Sequence, residues 1–94
     1  MMTKEWLLAF SSTHHAIAAE KTLTNEGFSV AIIPTPRGIS ASCGLSLLWK
    51  GEEKPDCEGI LQSLVKKQIQ WADLYIRFNR KHSQSRWRQI KTGR

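Results

Sequence analysis

The chain has 94 residues and a formal net charge of +6, which suffices for one domain with a small hydrophobic core but not for two. No apolar run approaches the length of about 18 residues needed to span a membrane, and no signal-peptide pattern opens the chain, so we expect a soluble cytoplasmic protein. The two cysteines, Cys43 and Cys57, are too few for a secreted disulfide framework, and their spacing matches no CxxC motif.

The positive charge is concentrated at the C-terminus. Residues 1–78 contain eight Lys or Arg against eight Asp or Glu, whereas residues 79–94 contain six Lys or Arg and no acid. This composition predicts a neutral domain over residues 1–78, followed by a basic C-terminal tail over residues 79–94.

The first half of the chain predicts a strand followed by a helix. Residues 6–10 form a short apolar run that is typical of a central strand. Residues 13–26 carry apolar side chains at helical spacing. Gly27 ends this helix in a Schellman arrangement, in which Phe28 is positioned to contact Leu23.

The remaining elements follow in the order strand, strand, helix, strand. Residues 30–33 form the second strand, which Pro34 stops because proline cannot donate to a ladder. Residues 45–49 form the third strand, the second helix opens at Pro55, and residues 71–78 alternate as a fourth strand.

The order β-α-β-β-α-β favours an α+β, ferredoxin-like two-layer sandwich: a four-stranded antiparallel sheet with two helices on one face. The other face then carries Leu48, Trp71 and Tyr75, and a large exposed apolar patch is uncommon on a monomer. We therefore expect this face to be covered, either by a second copy of the chain or by the tail, with Trp87 and Ile90 docking as a short helical patch.

The loop over residues 33–44 combines residue types that are typical of a reactive site rather than of a helix or strand. Arg37 is its only cation, Gly38 permits a sharp bend, and Cys43 closes it. A thiol is a strong nucleophile only as a thiolate, which a guanidinium and backbone N–H donors stabilise. The alternative is a structural thiol, since free cysteine is usually a small buried hydrophobe.

The start of the first helix adds hydroxyls, unpaired N–H groups and imidazoles, and such a helix end attracts anions and stabilises thiolates. One of the adjacent histidines could serve Cys43, but both cannot face one site because neighbours on a helix point about 100° apart. Besides Arg37 and Gly38, the residues expected to stabilise an anion or thiolate are Ser12, Thr13, His14, Ser40, Ser42 and Gly44.

Metal and cofactor sites are poorly supported by the sequence. Cys43, Cys57, His14 and His15 lack the spacing of a zinc site, and the loop lacks the lysine and spacing of a nucleotide-binding P-loop. We expect neither a metal nor a cofactor. A thiolate with no evident third partner also favours a carrier or binding protein over an independent enzyme.

Several motifs resemble the small bacterial family known as selenium/sulfur (Se/S) carrier protein-like, a domain of unknown function. The resemblance covers roughly residues 5–78. It implies that Cys43 holds sulfur or selenium as a persulfide or selenyl-sulfide, which Arg37 and the helix N-terminus stabilise, and that the partner is a sulfur or selenium donor or acceptor protein. The motifs are Ser-Ser-Thr-His-His-Ala at 11–16, Ala-Ala-Glu-Lys at 18–21, Ile-Pro-Thr-Pro-Arg at 33–37, Ile-Ser at 39–40 and Ser-Cys-Gly at 42–44.

The tail supports an alternative function. It interleaves cations with an aromatic side chain, a composition that binds phosphate backbones and stacks bases. In this reading the protein is a non-catalytic adaptor for nucleic acid or another anionic partner, and binding falls steeply with salt. The residues concerned are Arg80, Lys81, Arg86, Trp87 and Arg88.

Overall fold

The computed structural model describes residues 3–36, 39, 44–50, 54–80, 83–84 and 86–92. Within them no helix is long and apolar enough to cross a membrane. In chain order the elements are β1 (Thr3–Ala9), α1 (Thr13–Asn25), β2 (Ala31–Pro34), β3 (Leu45–Lys50), α2 (Lys54–Lys66), β4 (Asp73–Arg80), β5 (Ser83–Gln84) and β6 (Arg88–Thr92).

The strands form one sheet in the order β2-β3-β1-β4-β5, and β6 also pairs with β4. The pairings are antiparallel, with Leu7 of the central strand β1 opposite Leu48 on one side and Tyr75 on the other. The expected α+β class, with two helices and an antiparallel sheet, is confirmed. The sheet is larger than expected: six strands in the described part of the chain, where the sequence predicted four.

The additional strands come from the C-terminal segment, which returns alongside β4. Asn79 lies opposite Gln84, and Tyr75 lies opposite Gln89, so β5 and β6 are two pieces of one interrupted edge strand. The expected helical patch around Trp87 is therefore wrong. An edge strand tolerates charged side chains because one of its sides faces solvent. The expected boundary between residues 78 and 79 falls inside β4.

The main core lies between the helices and one face of the sheet. Alternation along each strand sends every second side chain to this face, where it meets the apolar stripes of α1 and α2. Trp71 packs against this cluster, so its predicted position on the other face is wrong. The core includes Trp6, Leu8, Phe10, Ala16, Ala19, Leu23, Leu47, Trp49, Ile60, Leu64 and Leu74.

Helix α1 ends as the sequence predicts. The Phe28 N–H donates to the Leu23 carbonyl at 2.9 Å and the Gly27 N–H donates to the Thr24 carbonyl at 3.1 Å, the two bonds of a Schellman motif. Gly27 has φ 93°, in the region that glycine enters without the steric cost of a Cβ atom.

The opposite face of the sheet holds a second, smaller cluster. Leu7, Ala9 and Ile39 are buried there, and Tyr75 and Trp87 pack against them. Leu48 belongs to this face by register, because it lies opposite Leu7. Trp87 of the C-terminal segment thus supplies part of the expected cover. The other expected cover, a second copy of the chain, stays a prediction.

Candidate functional site

The β2–β3 connection, residues 35–44, is held at its base. Pro34 and Leu45 form the last pair of the β2–β3 ladder. Beyond them the Thr35 N–H donates to the Gly44 carbonyl at 2.9 Å, and the Thr35 and Ser46 hydroxyls are hydrogen-bonded at 2.8 Å. Backbone and side-chain bonds therefore fix both ends of the connection on the sheet.

A point within the connection is also anchored. Ile39 is 9% exposed and belongs to the cluster of Leu7 and Ala9 on the face of the sheet opposite the helices. Its N–H donates to the Pro36 carbonyl at 3.3 Å. Burial of a branched apolar side chain contributes about 1.5–3 kcal/mol, so Ile39 holds this part of the connection against the sheet.

The N-terminus of α1 lies at the same end of the sheet as this connection, because Ala9 at the end of β1 lies opposite Ser46 near the start of β3. Ser12 is the N-cap residue, but its hydroxyl makes no capping hydrogen bond; its carbonyl accepts from Ala16 N at 3.1 Å. The first turn contains no acidic side chain. The helix dipole at this end is therefore not offset by a carboxylate in its first turn.

The two adjacent histidines point to different surroundings. His15 Nδ1 accepts a hydrogen bond from the Gln70 N–H at 3.0 Å, which orients this imidazole towards the α2–β4 connection. His14 is exposed at the start of the helix. Of the two, His14 is the one left at the solvent side of the helix N-terminus.

The described residues include only part of the predicted site. Ser12, Thr13, His14 and Gly44 are brought to one end of the sheet. The central thiol and its expected stabilising residues lie outside the described residues, so their roles stay predictions; these are Arg37, Gly38, Ser40, Ser42 and Cys43.

Gly44 is exposed, and a Cβ atom placed on it would meet nothing within 4 Å among the described residues. The described residues therefore leave room for a larger side chain at this position.

Of the residues predicted for nucleic-acid binding, Arg86, Trp87 and Arg88 lie together on the segment from β5 to β6. The backbone of Arg80 ends β4, and Lys81 lies outside the described residues. Within the described part of the chain, no three His, Cys, Asp or Glu side chains are grouped closely enough to hold a metal ion.

A buried ion pair was missed by the sequence analysis. Glu5 is 3% exposed and accepts a hydrogen bond from Arg77 Nε at 2.8 Å. The Arg77 guanidinium in turn lies 4.4 Å from the centre of the Trp87 ring, a cation–π distance. The sequence contained a signal for the position of Glu5: it is two residues before Leu7 and four before Ala9, so a first strand that begins earlier places all three side chains on one face of the sheet.

The match to a known family spans most of this structure. A protein-family model described as "Putative Se/S carrier protein-like" matches residues 5–76. The chain belongs to this family. The resemblance found in the sequence motifs is thereby confirmed. The match includes both helices and the β2–β3 connection, and it ends within β4, before β5 and β6. No curated protein and no solved structure matches the chain.

Proposed function

We propose that the protein carries sulfur or selenium on Cys43, as a persulfide or a selenyl-sulfide. The observation that carries this proposal is the family match over residues 5–76, which contains Cys43 and the whole β2–β3 connection. Because thiols remain reduced in the cytoplasm, we further propose a cytoplasmic location. The partners are a protein that donates the atom and a protein that accepts it.

The geometry at this end of the sheet supports an anionic cargo. Cys43 is bonded in sequence to Gly44, whose carbonyl is fixed by Thr35. The N-terminus of α1 lies at the same end and has no acid in its first turn, so its partial positive charge favours a thiolate or persulfide anion. Arg37 is proposed as the guanidinium that neutralises the same charge.

The proposed transfer is an exchange at sulfur. The Cys43 thiolate attacks the terminal sulfur of a persulfide on the donor; the new bond joins it to Cys43, the donor's S–S bond breaks, and the donor cysteine leaves as a thiolate. For selenium the attacked atom is the terminal selenium of a donor selenyl-sulfide. One thiolate is consumed and one is released, so no external oxidant or reductant is needed.

The first experiment measures the pH dependence of Cys43 alkylation in a Cys57→Ser background. We expect a thiol pKa below the ordinary value of about 8.5, and we expect Arg37→Ala to raise it. Lys21→Ala is the matched control, because it removes one positive charge from an exposed position on α1 and should leave the alkylation profile unchanged. If the thiol pKa is ordinary and Arg37→Ala does not change it, the proposal is contradicted and Cys43 is a structural thiol.

The second experiment measures loading directly. After incubation with a small-molecule persulfide, mass spectrometry should show one added sulfur in Cys57→Ser and none in the Cys43→Ser, Cys57→Ser double variant. Gly44→Ala has room for its methyl group and should fold normally. If Gly44→Ala loads from a small persulfide but no longer from a donor protein, the glycine serves close approach of the donor. A Cys57→Ser variant that does not load would contradict the proposal.

A further inference from the structure

The face of the sheet opposite the helices is covered from both of its edges. From the β2 edge, Ile39 of the β2–β3 connection enters the cluster of Leu7 and Ala9 on β1, where it is 9% exposed. Strand β1 lies two strands inside that edge, which is about 10 Å at the usual strand spacing. From the other edge, Trp87 of the C-terminal segment packs against the same cluster. The two segments therefore share one apolar cluster over the central strand.

The C-terminal segment that carries Trp87 is fixed to the sheet by its own contacts. The Arg77 guanidinium lies 4.4 Å from the centre of the Trp87 ring, a cation–π distance. Arg77 Nε in turn donates to Glu5 Oε1 at 2.8 Å, and Glu5 is 3% exposed. Further along the segment, Gln89 Nε2 donates to Asp73 Oδ1 at 2.9 Å. Trp87 is therefore held on the sheet by contacts that do not involve the β2–β3 connection.

The attachment of Ile39 depends on the cluster itself. The Ile39 N–H donates to the Pro36 carbonyl at 3.3 Å, a bond within the connection that does not reach the sheet. The side chain supplies the contact with β1, and burial of a side chain of this size contributes about 1.5–3 kcal/mol. Tyr75 and Trp87 border the cluster as its two aromatic side chains. Loss of either ring exposes apolar surface that Ile39 is buried against.

The strand order explains why a large side chain is needed at position 87. Trp87 immediately precedes Arg88, which lies opposite Ile76 on β4, and β4 is the neighbour of β1. The segment is therefore two strands from Leu7, again about 10 Å. An indole reaches the cluster across this distance, whereas the methyl group of alanine is too short.

We propose that Trp87 is a positioning residue for the β2–β3 connection and, through it, for Cys43. Cys43 is four residues after Ile39 and is bonded to Gly44, whose carbonyl accepts from the Thr35 N–H. In the sequence it thus lies between two points at which the connection is attached to the sheet, and Trp87 supports the first of them. The effect on Cys43 rests on the proposed carrier function, whereas the support of Ile39 does not.

This role extends the carrier site beyond the part of the chain that the family model matches. The match ends at residue 76, so Trp87 and the segment that holds it lie outside the match. The C-terminal segment then contributes to the same site as the β2–β3 connection, from the opposite edge of the sheet.

The first test is methyl NMR of the full chain. We expect nuclear Overhauser cross-peaks that join the Ile39 methyl groups to Leu7 or Ala9, and we expect Trp87→Ala to abolish them. Trp87→Phe keeps an aromatic ring at this position and should restore them. Unchanged Ile39 cross-peaks in Trp87→Ala would overturn the proposal.

Two controls separate this local effect from a general loss of structure. Cross-peaks between Leu8 and Leu47, which are paired in the main core, should persist in every variant. Ile90→Ala is the matched control, because Ile90 is an apolar residue of the same segment that is 46% exposed, and it should leave the Ile39 cross-peaks unchanged. If Trp87→Ala does not fold, Ile39→Ala decides the question: of the indole signals of the four tryptophans, that of Trp87 should move, and an unmoved signal would contradict the proposal.

The second test asks whether this support reaches the thiol. In the Cys57→Ser background, Trp87→Ala should move the pH profile of Cys43 alkylation towards that of an ordinary thiol, and Ile90→Ala should leave it unchanged. An unchanged profile in a Trp87→Ala variant that has lost the Ile39 cross-peaks would overturn the positioning of Cys43. If the unsubstituted protein already reacts as an ordinary thiol, the carrier function fails by itself, and the Ile39 cross-peaks still decide whether Trp87 supports the connection.

Discussion

Replacing Glu5 by glutamine tests whether the ion pair beneath the C-terminal segment stabilises the fold. Glu5 is 3% exposed, and its partner Arg77 has a side chain that is 22% exposed. Two unit charges 4 Å apart attract by about 4 kcal/mol at an effective dielectric constant near 20, and the cost of burying the carboxylate offsets part of this. A hydrogen bond to a charged group contributes about 1.5–3 kcal/mol net, so we expect Glu5→Gln to lower the free energy of unfolding by about 2 kcal/mol.

The assay is equilibrium unfolding in urea, followed by circular dichroism. For a domain of this size a loss of about 2 kcal/mol corresponds to a decrease in Tm of roughly 10 °C. Glu20→Gln is the control, because the hydrogen bond that Glu20 accepts from Thr24 is long, at 3.5 Å, and exposed, so its replacement should cost less than about 0.5 kcal/mol.

A double-mutant cycle with Arg77→Gln measures the interaction energy between Glu5 and Arg77, apart from the contacts that each side chain makes with other residues. If the pair acts as a unit, the double variant loses much less than the sum of the two single losses. Equal stability of Glu5→Gln and Glu20→Gln, or strictly additive losses in the cycle, would refute the reasoning. The indole signals of the folded protein give a second readout, since Arg77 also contacts Trp87.

Two further predictions concern backbone conformation and titration. Gly27→Ala should lower the free energy of unfolding in urea by about 1–3 kcal/mol, because φ is 93° there and no described residue restricts the added methyl group. Gln68→Gly, at φ 57° in the equivalent position after α2, should raise the free energy of unfolding by about 0.5–1 kcal/mol. A stabilised Gly27→Ala variant or a destabilised Gln68→Gly variant would contradict this argument. Burial, followed by the Asp73 carboxylate, raises the pKa of Tyr75 above its ordinary value of 10.0. The folded state therefore binds this proton more tightly, so its contribution to stability is complete below pH 10.0 and is lost as pH rises through the folded pKa. Because Tyr75 is the only tyrosine, phenolate absorbance measures its titration alone, and the same midpoint in the folded and urea-unfolded chain would contradict the prediction.

Local signals in the sequence predicted most of the family core. Gly27 indicated the end of α1, because the residue that adopts the left-handed conformation after a helix is usually glycine. Alternation predicted which side chains of β3 and β4 share a face, and Trp71 was misplaced because it precedes the first residue of β4, Asp73, where strand alternation no longer applies.

The candidate site was predictable to a smaller extent. Proline, arginine, glycine and cysteine in one loop indicated a reactive thiol there. The pairing of Ala9 with Ser46 then brings the N-terminus of α1 to the same end of the sheet as this loop. The lack of a capping bond at Ser12 depends on side-chain geometry, which spacing does not determine. The pairing of the C-terminal segment with β4 was not predicted, since residues 79–94 were expected to be a tail.

The sequence by itself determined the order of the elements, the end of α1, the uneven charge and the motifs that identify the family, because each of these depends on residues close together in the chain. Only the tertiary structure decided where the C-terminal segment lies. It pairs with β4 through backbone hydrogen bonds, which any residue can make, so the side chains do not indicate the pairing. The irregular register of that pairing also interrupts the alternation of side chains that would indicate a strand. The Glu5–Arg77 pair and the stacking of Trp87 likewise join residues from β1, β4 and the returning segment, which only the folded sheet brings together.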